Sequence, residues 1–306
     1  MGSEFVPFTL PPLVIATLAA LACAAPGNFL LLRRQSMLGD AMSHVVLPGI
    51  VAAFLLTGSA SPSVMLLGAL AAAAFSAALI ESIRRATGAD PGAAMGVTFT
   101  AMFAAGVLLL ETSGAAAVHL DVEHALYGTL ESLIWIDATG WSSLLDPAAL
   151  ATLPTELFLL AAIATAILAA LALLWRPLTI ATFDEGFAAT IGIPTRTLSA
   201  ALTGLTALAA VAAFSAVGSI LTIAMLTCPP ATARLLTDSL PRQIALSLAA
   251  AATAAILGTL AAGYLPGLLG LSFTVSAAGA IATVAGLLLA LAALFGPHRA
   301  PLSSDR

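Results

Sequence analysis

An aspartate and a histidine lie four residues apart in the stretch LGDAMSHVVLPG, residues 38–49. Positions i and i+4 of an α-helix share one face, so a helix here would bring Asp40 and His44 together. A carboxylate with an imidazole suits Zn²⁺, Mn²⁺ or Fe²⁺ better than Ca²⁺ or Mg²⁺, which prefer oxygen ligands alone. Two ligands are too few for a complete shell, so another segment or a second subunit must supply the rest.

A structural interpretation of the same pair stays open. Asp40 can be the N-cap of a helix with His44 hydrogen-bonded nearby, and both roles can hold at once. Pro48, followed by Gly49, removes the backbone donor for the carbonyl of His44, which predicts a bend or break just beyond the pair. Two other pairs of residues that contain proline predict further interruptions of the helices. Interruptions at membrane depth usually line a cavity or pathway. The two pairs are Pro26 with Gly27, and Pro229 with Pro230.

The elements that carry these residues are predicted to be membrane helices. Of the 306 residues, 60% are hydrophobic and 8% charged, and the mean hydropathy is +1.08. A soluble domain has about 25% charged residues, and a membrane-spanning helix needs ~20 apolar residues. We predict an all-α, polytopic membrane helical bundle of about eight or nine transmembrane helices with interrupted segments. The apolar segments fall at residues 8–32, 40–57, 62–82, 93–110, 155–175, 197–214, 217–230, 243–263 and 272–295.

The arginines indicate the orientation of the chain, because cytoplasmic loops of membrane proteins are enriched in basic residues. They occupy alternate loops, which predicts an outward N-terminus and a cytoplasmic C-terminus. The acidic loop 111–154 is expected outside and the loop 177–196 inside. We expect residues 1–306 to form a single transmembrane domain, with no signal peptide. Residues 1–5, MGSEF, are typical of cloning and are left out of the fold argument.

A second candidate segment is FDEGFAATIGIPTR, residues 183–196, in the loop predicted to be cytoplasmic. Asp184 can cap a short helix, Gly192 can supply its left-handed end, and Pro194 prevents continuation. This pattern predicts a short helix on the cytoplasmic face. Its residues do not distinguish an ordinary connecting helix from a docking element.

A third candidate lies in VHLDVEHALYG, residues 118–128, on the predicted outer side. His119, Asp121, Glu123 and His124 have the chemistry to relay a metal ion. A solvated polar loop explains the same residues and is the favoured interpretation.

Several enzyme classes are excluded by specific residues. All ten basic residues are arginine, so the lysine of a GxxxxGK[ST] phosphate-binding loop is missing. The chain also lacks an HExxH zinc-protease motif, and Asp40 does not complete a GxGD motif. A carrier or channel remains, since a structural scaffold has no use for Asp40.

Four ordered stretches resemble the membrane permease subunits of ATP-binding-cassette importers for zinc, manganese and iron. The resemblance implies a non-enzymatic transport subunit of the bacterial inner membrane that moves Mn²⁺, Zn²⁺ or Fe²⁺, while a separate subunit hydrolyses ATP. A proton-coupled secondary metal transporter is the alternative. The four stretches are residues 29–49, 183–196, 216–236 and 276–297.

The resemblance also assigns roles and partners. It places Asp40 and His44 in the metal pathway, where the prolines themselves predict helix breaks at Pro48, Gly49 and Pro229. The expected partners are an ATP-binding subunit, an extracytoplasmic metal-binding protein, a second permease subunit that is either identical or a paralogue, and the lipid bilayer, without nucleic acid. No permanent cofactor is expected, because the metal ion is the cargo. The implied coupling residues are Phe183, Asp184, Glu185, Ala188, Ala189 and Gly192.

Overall fold

The computed structural model describes residues 5–59, 61–112, 130–138, 140–268, 270 and 275–297. All regular secondary structure in this part of the chain is helical. Seven of the described helices are long and apolar enough to cross a membrane. The predicted class, an all-α membrane bundle, is confirmed.

The first half of the chain contains four long helices. After a π-helical turn at Phe5–Thr9 these are α1 (Leu10–Leu32), α2 (Met37–Thr57), α3 (Pro62–Thr87) and α4 (Pro91–Thr112). Helices α3 and α4 begin at a proline, which suits the first helical position because its missing N–H has no partner there anyway. Helices α2 and α3 end at Gly58 and Gly88 in the left-handed conformation that glycine readily adopts.

The second half combines short and long helices. Two 3₁₀ turns, Leu130–Ser132 and Trp141–Leu145, precede the short helix α5 (Pro147–Leu150). Helices α6 (Thr155–Leu173), α7 (Trp175–Phe183) and α8 (Glu185–Thr190) follow. The last three are α9 (Thr195–Leu236), α10 (Leu240–Leu268) and α11 (Ala277–Phe295).

Helix α9 folds back on itself at Gly218, where φ is 79° and ψ is 176°. The Sγ of Cys23 lies 3.8 Å from the carbonyl oxygen of Ala209, while Gly27 contacts the carbonyl oxygen of Leu226. Cys23 and Gly27 are about 6 Å apart along α1, whereas a straight helix from Ala209 to Leu226 would extend about 25 Å. The chain must therefore reverse between these two contacts.

The fold-back reconciles the predicted and observed helices. The 42 residues of α9 form two arms, residues 195–217 and 219–236, that correspond to the two predicted segments 197–214 and 217–230. Helix α2 adds a further apolar segment beyond the seven long helices. Its residues Val45–Thr57 form a shorter apolar helix. The helix count thus agrees roughly with the eight or nine predicted.

The predicted interruptions at prolines do not appear as breaks in the backbone. The helices continue through Pro26, Pro48 and Pro229, and the non-helical residue within α9 is Gly218. Proline removes one helical hydrogen bond, but membrane helices tolerate this where a neighbour contacts the freed carbonyl. Pro230 frees the carbonyl of Leu226, and that oxygen lies against Gly27. The helix therefore continues through Pro230 at a point where α1 packs closely against it.

The two ends of the bundle are identified by contacts between distant segments. At one end Arg33 Nε donates to Thr182 Oγ1 over 3.1 Å. At the other end Glu131 Oε1 accepts from the backbone N–H of Ala277 over 2.6 Å. The first end carries the arginines of the predicted cytoplasmic loops, and the second carries the acidic connection predicted to face outward.

The connection predicted to face outward is built around Trp135, which is fully buried. Its indole Nε1 donates to the carbonyl oxygen of Ala149 over 2.8 Å, and its backbone N–H donates to Pro7 over 2.9 Å. Trp141 is exposed and stacks on Phe5, with ring centroids 5.8 Å apart. The connection therefore packs on the first residues of the described chain.

Candidate metal pathway and docking helix

Asp40 and His44 lie in the first two turns of α2, as their spacing predicts. The helix begins at Met37 and its N-cap residue is Ser36, so Asp40 is not the N-cap. The backbone places the two residues one turn apart on a single face. Their side chains lie outside the described part of the structure, and their role as metal ligands stays a prediction.

The turns of α2 around this pair are enclosed by protein. A Cβ at Gly39 would lie 2.6 Å from Leu226 Cδ1, so α2 meets the second arm of α9 there. Four neighbouring side chains are at most 1% exposed: Ala41, Met42, Val45 and Val46. The start of α2 is therefore held in place by tight packing.

The face of α2 that carries Asp40 and His44 continues toward α4. Leu47 and Val51 follow the pair on this face and pack with Leu110 of α4. A Cβ at Gly106 would lie 2.8 Å from Pro48 Cδ. Both helices begin at the arginine-bearing end, so they run parallel at this contact.

Counted back from this contact, two α4 residues lie at the same level along the helices as the pair. Thr98 precedes Gly106 by eight residues, as Asp40 precedes Pro48. Met102 precedes Gly106 by four residues, as His44 precedes Pro48. Thr98 is 1% exposed, and its hydroxyl donates to the carbonyl oxygen of Ala94 over 2.8 Å. The oxygen retains acceptor capacity at the level of Asp40.

Sequence reasoning missed both Thr98 and Met102. Thr98 and Thr100 occur together in the apolar run VTFTAMF, and periodicity does not say which of them faces α2. In the structure Thr98 is buried, whereas Thr100 is exposed.

The proposed outer relay cannot be placed in this framework. His119, Asp121, Glu123 and His124 all lie outside the described residues. Within the described residues there is no group of three or more His, Cys, Asp or Glu side chains that could hold a metal ion. The outer relay stays a prediction.

The short helix α8, in the loop predicted to be cytoplasmic, has the ends that its sequence predicts. Asp184 is the N-cap and accepts from the backbone N–H of Phe187 over 2.8 Å. Gly192 adopts a left-handed φ of 80°, and its N–H donates to Ala189 while that of Ile193 donates to Ala188. This paired arrangement is a Schellman motif, which ends the helix firmly.

Three large apolar side chains are exposed along α8 and at its two ends. Phe183, Phe187 and Ile191 recur every four residues and are 62%, 54% and 50% exposed. Ala188, in contrast, is fully buried between Ala181 and Leu198. Ala188 therefore supports the helix from beneath, and Phe187 and Ile191, which the sequence did not single out, form its exposed stripe.

Comparison with known proteins identifies the family. The profile of the ABC 3 transport family matches residues 6–139 and 141–296. The chain belongs to this family. Within it, the chain is 37% identical over 286 residues to the manganese transport system membrane protein MntD of Bacillus subtilis (strain 168), covering 93% of this chain and 91% of that protein.

Other relatives of the ABC 3 chain carry related names. It is 35% identical to the zinc transport system membrane protein TroD of Treponema pallidum (strain Nichols), over 94% of this chain and 74% of TroD. Among solved structures, PsaBC from Streptococcus pneumoniae in complex with Fab matches with a TM-score of 0.77 and 28% identity. That match covers 95% of this chain and 93% of the other.

Proposed function

We propose that this ABC 3 protein is the permease subunit of an ATP-driven importer of Mn²⁺ or Zn²⁺, with Fe²⁺ as a third candidate. It is a multi-pass protein of the bacterial plasma membrane and is not itself an enzyme. The observation that carries the proposal is the position of Asp40 and His44 on one face of α2, in a chain whose relatives are manganese and zinc permeases.

The proposed site is suited to passage of the ion. A pathway site must replace part of the hydration of the ion and still release it, so a full cage of strong ligands would trap zinc. One carboxylate and one imidazole per subunit form an incomplete shell, which a second permease subunit can complete. No permanent cofactor is needed, since the ion is cargo.

We further propose that α8 docks on the ATP-binding subunit. Its apolar stripe lies at the arginine-bearing end of the bundle and outside the membrane-spanning helices. Large exposed apolar side chains in a short capped helix fit the hydrophobic core of a protein interface. An extracytoplasmic metal-binding protein would deliver the ion at the opposite end.

Uptake of radioactive Mn²⁺ and Zn²⁺ by proteoliposomes holding the complete complex tests the pathway. Asp40→Asn and His44→Ala should each abolish uptake at limiting metal while the complex still assembles. Asp90→Asn is the matched control, because Asp90 is an exposed carboxylate at the same end, and it should keep wild-type uptake. Wild-type rates for both α2 variants would refute the metal-site assignment.

The energy source separates an ATP-driven importer from a proton-coupled carrier. In the same proteoliposomes, an inactive ATP-binding subunit should stop uptake, whereas a protonophore should leave it unchanged. The opposite pattern would favour the proton-coupled carrier. The metal content of the purified complex then distinguishes Mn²⁺ from Zn²⁺.

A further inference from the structure

The end of α1 is attached to α7, the helix that leads directly into α8. Arg33 caps α1, and its Nε donates to Thr182 Oγ1 over 3.1 Å. One turn earlier Phe29 meets Trp175 edge to face, with ring centroids 6.2 Å apart. Thr182 lies two residues before Asp184, the N-cap of α8. A displacement of α8 would therefore act on the end of α1.

The turn after Arg33 connects this attachment to α2, the helix that carries Asp40 and His44. Arg34 adopts a left-handed φ of 57°, its N–H donates to Leu31 over 3.1 Å, and the N–H of Gln35 donates to Leu30 over 2.8 Å. These paired bonds form a Schellman motif, so the turn has a defined geometry. Helix α2 begins two residues after Gln35 and carries Asp40 in its first turn.

Arg33 also holds an unused donor inside the protein. Among the described residues, its buried Nη2 has no hydrogen-bond partner. Burial lowers the pKa of Arg33 below its ordinary value, and the negative charge of Glu185, the first residue of α8, acts in the opposite direction. The guanidinium is thus hydrogen-bonded to α7, and the charge of Glu185 at the start of α8 acts on it electrostatically.

We propose that Arg33 is a positioning residue that transmits movement of α8 to Asp40 and His44 through the turn between α1 and α2. This proposal rests on the proposed function. A guanidinium with a planar set of donors can hold Thr182 through Nε and still offer Nη2 to a carboxylate. When the ATP-binding subunit moves α8, Arg33 pulls on the end of α1, and the rigid turn passes the shift to α2.

The test compares variants in the complete reconstituted complex and measures Mn²⁺ or Zn²⁺ transported per ATP hydrolysed. Arg33→Gln removes the charge and the forked donors, and Thr182→Val removes the acceptor with little change of shape. Arg34→Gln is the matched control, because Arg34 is the next residue of the same turn and its side chain is exposed. Arg33→Lys keeps the positive charge without the forked donors, so it tests whether charge alone is sufficient for coupling.

Arg33→Gln should leave assembly and ATP hydrolysis intact while metal transported per ATP falls roughly 2- to 30-fold, the range for residues that carry coupling between sites. Thr182→Val should act in the same direction, and the double variant should be no worse than Arg33→Gln. Arg33→Lys should fail to restore the ratio, and Arg34→Gln should keep it.

An assembled Arg33→Gln complex with the wild-type ratio overturns the proposal, as does full rescue by Arg33→Lys. If the Arg33→Gln complex does not assemble, the Thr182→Val complex takes its place in the test. A wild-type ratio of metal transported to ATP hydrolysed in that variant would also overturn the proposal. Failure of the proposed function is a separate result, because the wild-type complex would then transport neither metal ion.

Discussion

Gly106 of α4 lies directly against Pro48 of α2. A Cβ at Gly106 would be 2.8 Å from Pro48 Cδ and 2.9 Å from Pro48 N, both closer than van der Waals contact permits. Small residues allow such approach in membranes, where lipid supplies no hydrophobic force to bring helices together. The contact sets the register that puts Thr98 and Met102 at the same level along the helices as Asp40 and His44.

The first prediction concerns this contact. Gly106→Ala should force α4 away from α2 and destabilise the protein by about 1–3 kcal/mol, as overpacking does. Thermal unfolding of the purified complex measures the loss. Gly96→Ala on the same helix is the control, since no described atom lies within 4 Å of its Cβ position, and it should unfold at or above the wild-type temperature. Equal behaviour of the two variants would contradict the close contact.

Thr98 provides a second prediction, about transport rather than stability. Thr98→Val removes a buried oxygen at the level of Asp40 with little change in volume, so uptake should fall by about tenfold, within the range for outer-sphere groups at metal sites. Uptake of Mn²⁺ and Zn²⁺ at limiting concentration is the measurement. Thr100→Val, exposed on the same helix, should transport normally. An unimpaired Thr98→Val protein would remove Thr98 from the pathway.

The sequence predicted features that depend on local chemistry. The cap at Asp184 and the left-handed end at Gly192 follow from one side chain and one φ angle, and both are present. The sequence also predicted that Asp40 and His44 lie one turn apart on a helix, because apolar membrane segments have few alternatives to a helix. Features of this kind need no knowledge of neighbouring helices.

Features that depend on tertiary contacts were not predictable. The prolines were the strongest local signals for a break, yet the chain reverses at Gly218, between Val217 and Ser219, in a sequence already rich in glycine and alanine. Whether a glycine serves as a bend or as ordinary helix depends on what packs against both arms. The burial of Ala188 and exposure of Phe187 likewise depend on how α8 rests on Leu198.

The third prediction concerns docking by α8. Phe187→Ser should weaken binding of the ATP-binding subunit at least tenfold, because large buried side chains dominate interface energies. Co-purification and titration of the detergent-solubilised permease with that subunit measure the effect. Thr190→Ala, exposed on the same helix, should bind normally. Undiminished binding by Phe187→Ser would show that the stripe serves another purpose.

The fourth prediction tests a polar pair in the core, Asn28 of α1 and Gln243 of α10. Both side chains are fully buried, and Gln243 Nε2 donates to Asn28 Oδ1 over 3.2 Å. Asn28 Nδ2 donates in turn to the carbonyl oxygen of Ala24 over 2.8 Å. The pair therefore ties α1 to α10 close to the arginine-bearing end.

Removing one partner leaves either Gln243 Nε2 or Asn28 Oδ1 without this hydrogen bond in the buried core, whereas removing both leaves neither atom behind. Asn28→Leu or Gln243→Met alone should therefore destabilise the protein by about 1–2 kcal/mol. The double variant should lose clearly less than the sum of the single losses, because residues that share a hydrogen bond are not additive. Thermal unfolding of all four proteins measures the coupling, and strictly additive losses would mean that the hydrogen bond contributes nothing. Uptake should follow stability across the series, since the pair joins α1 to α10 and belongs to neither α2 nor α4. A transport loss in the double variant without a loss of stability would instead place the pair in the pathway.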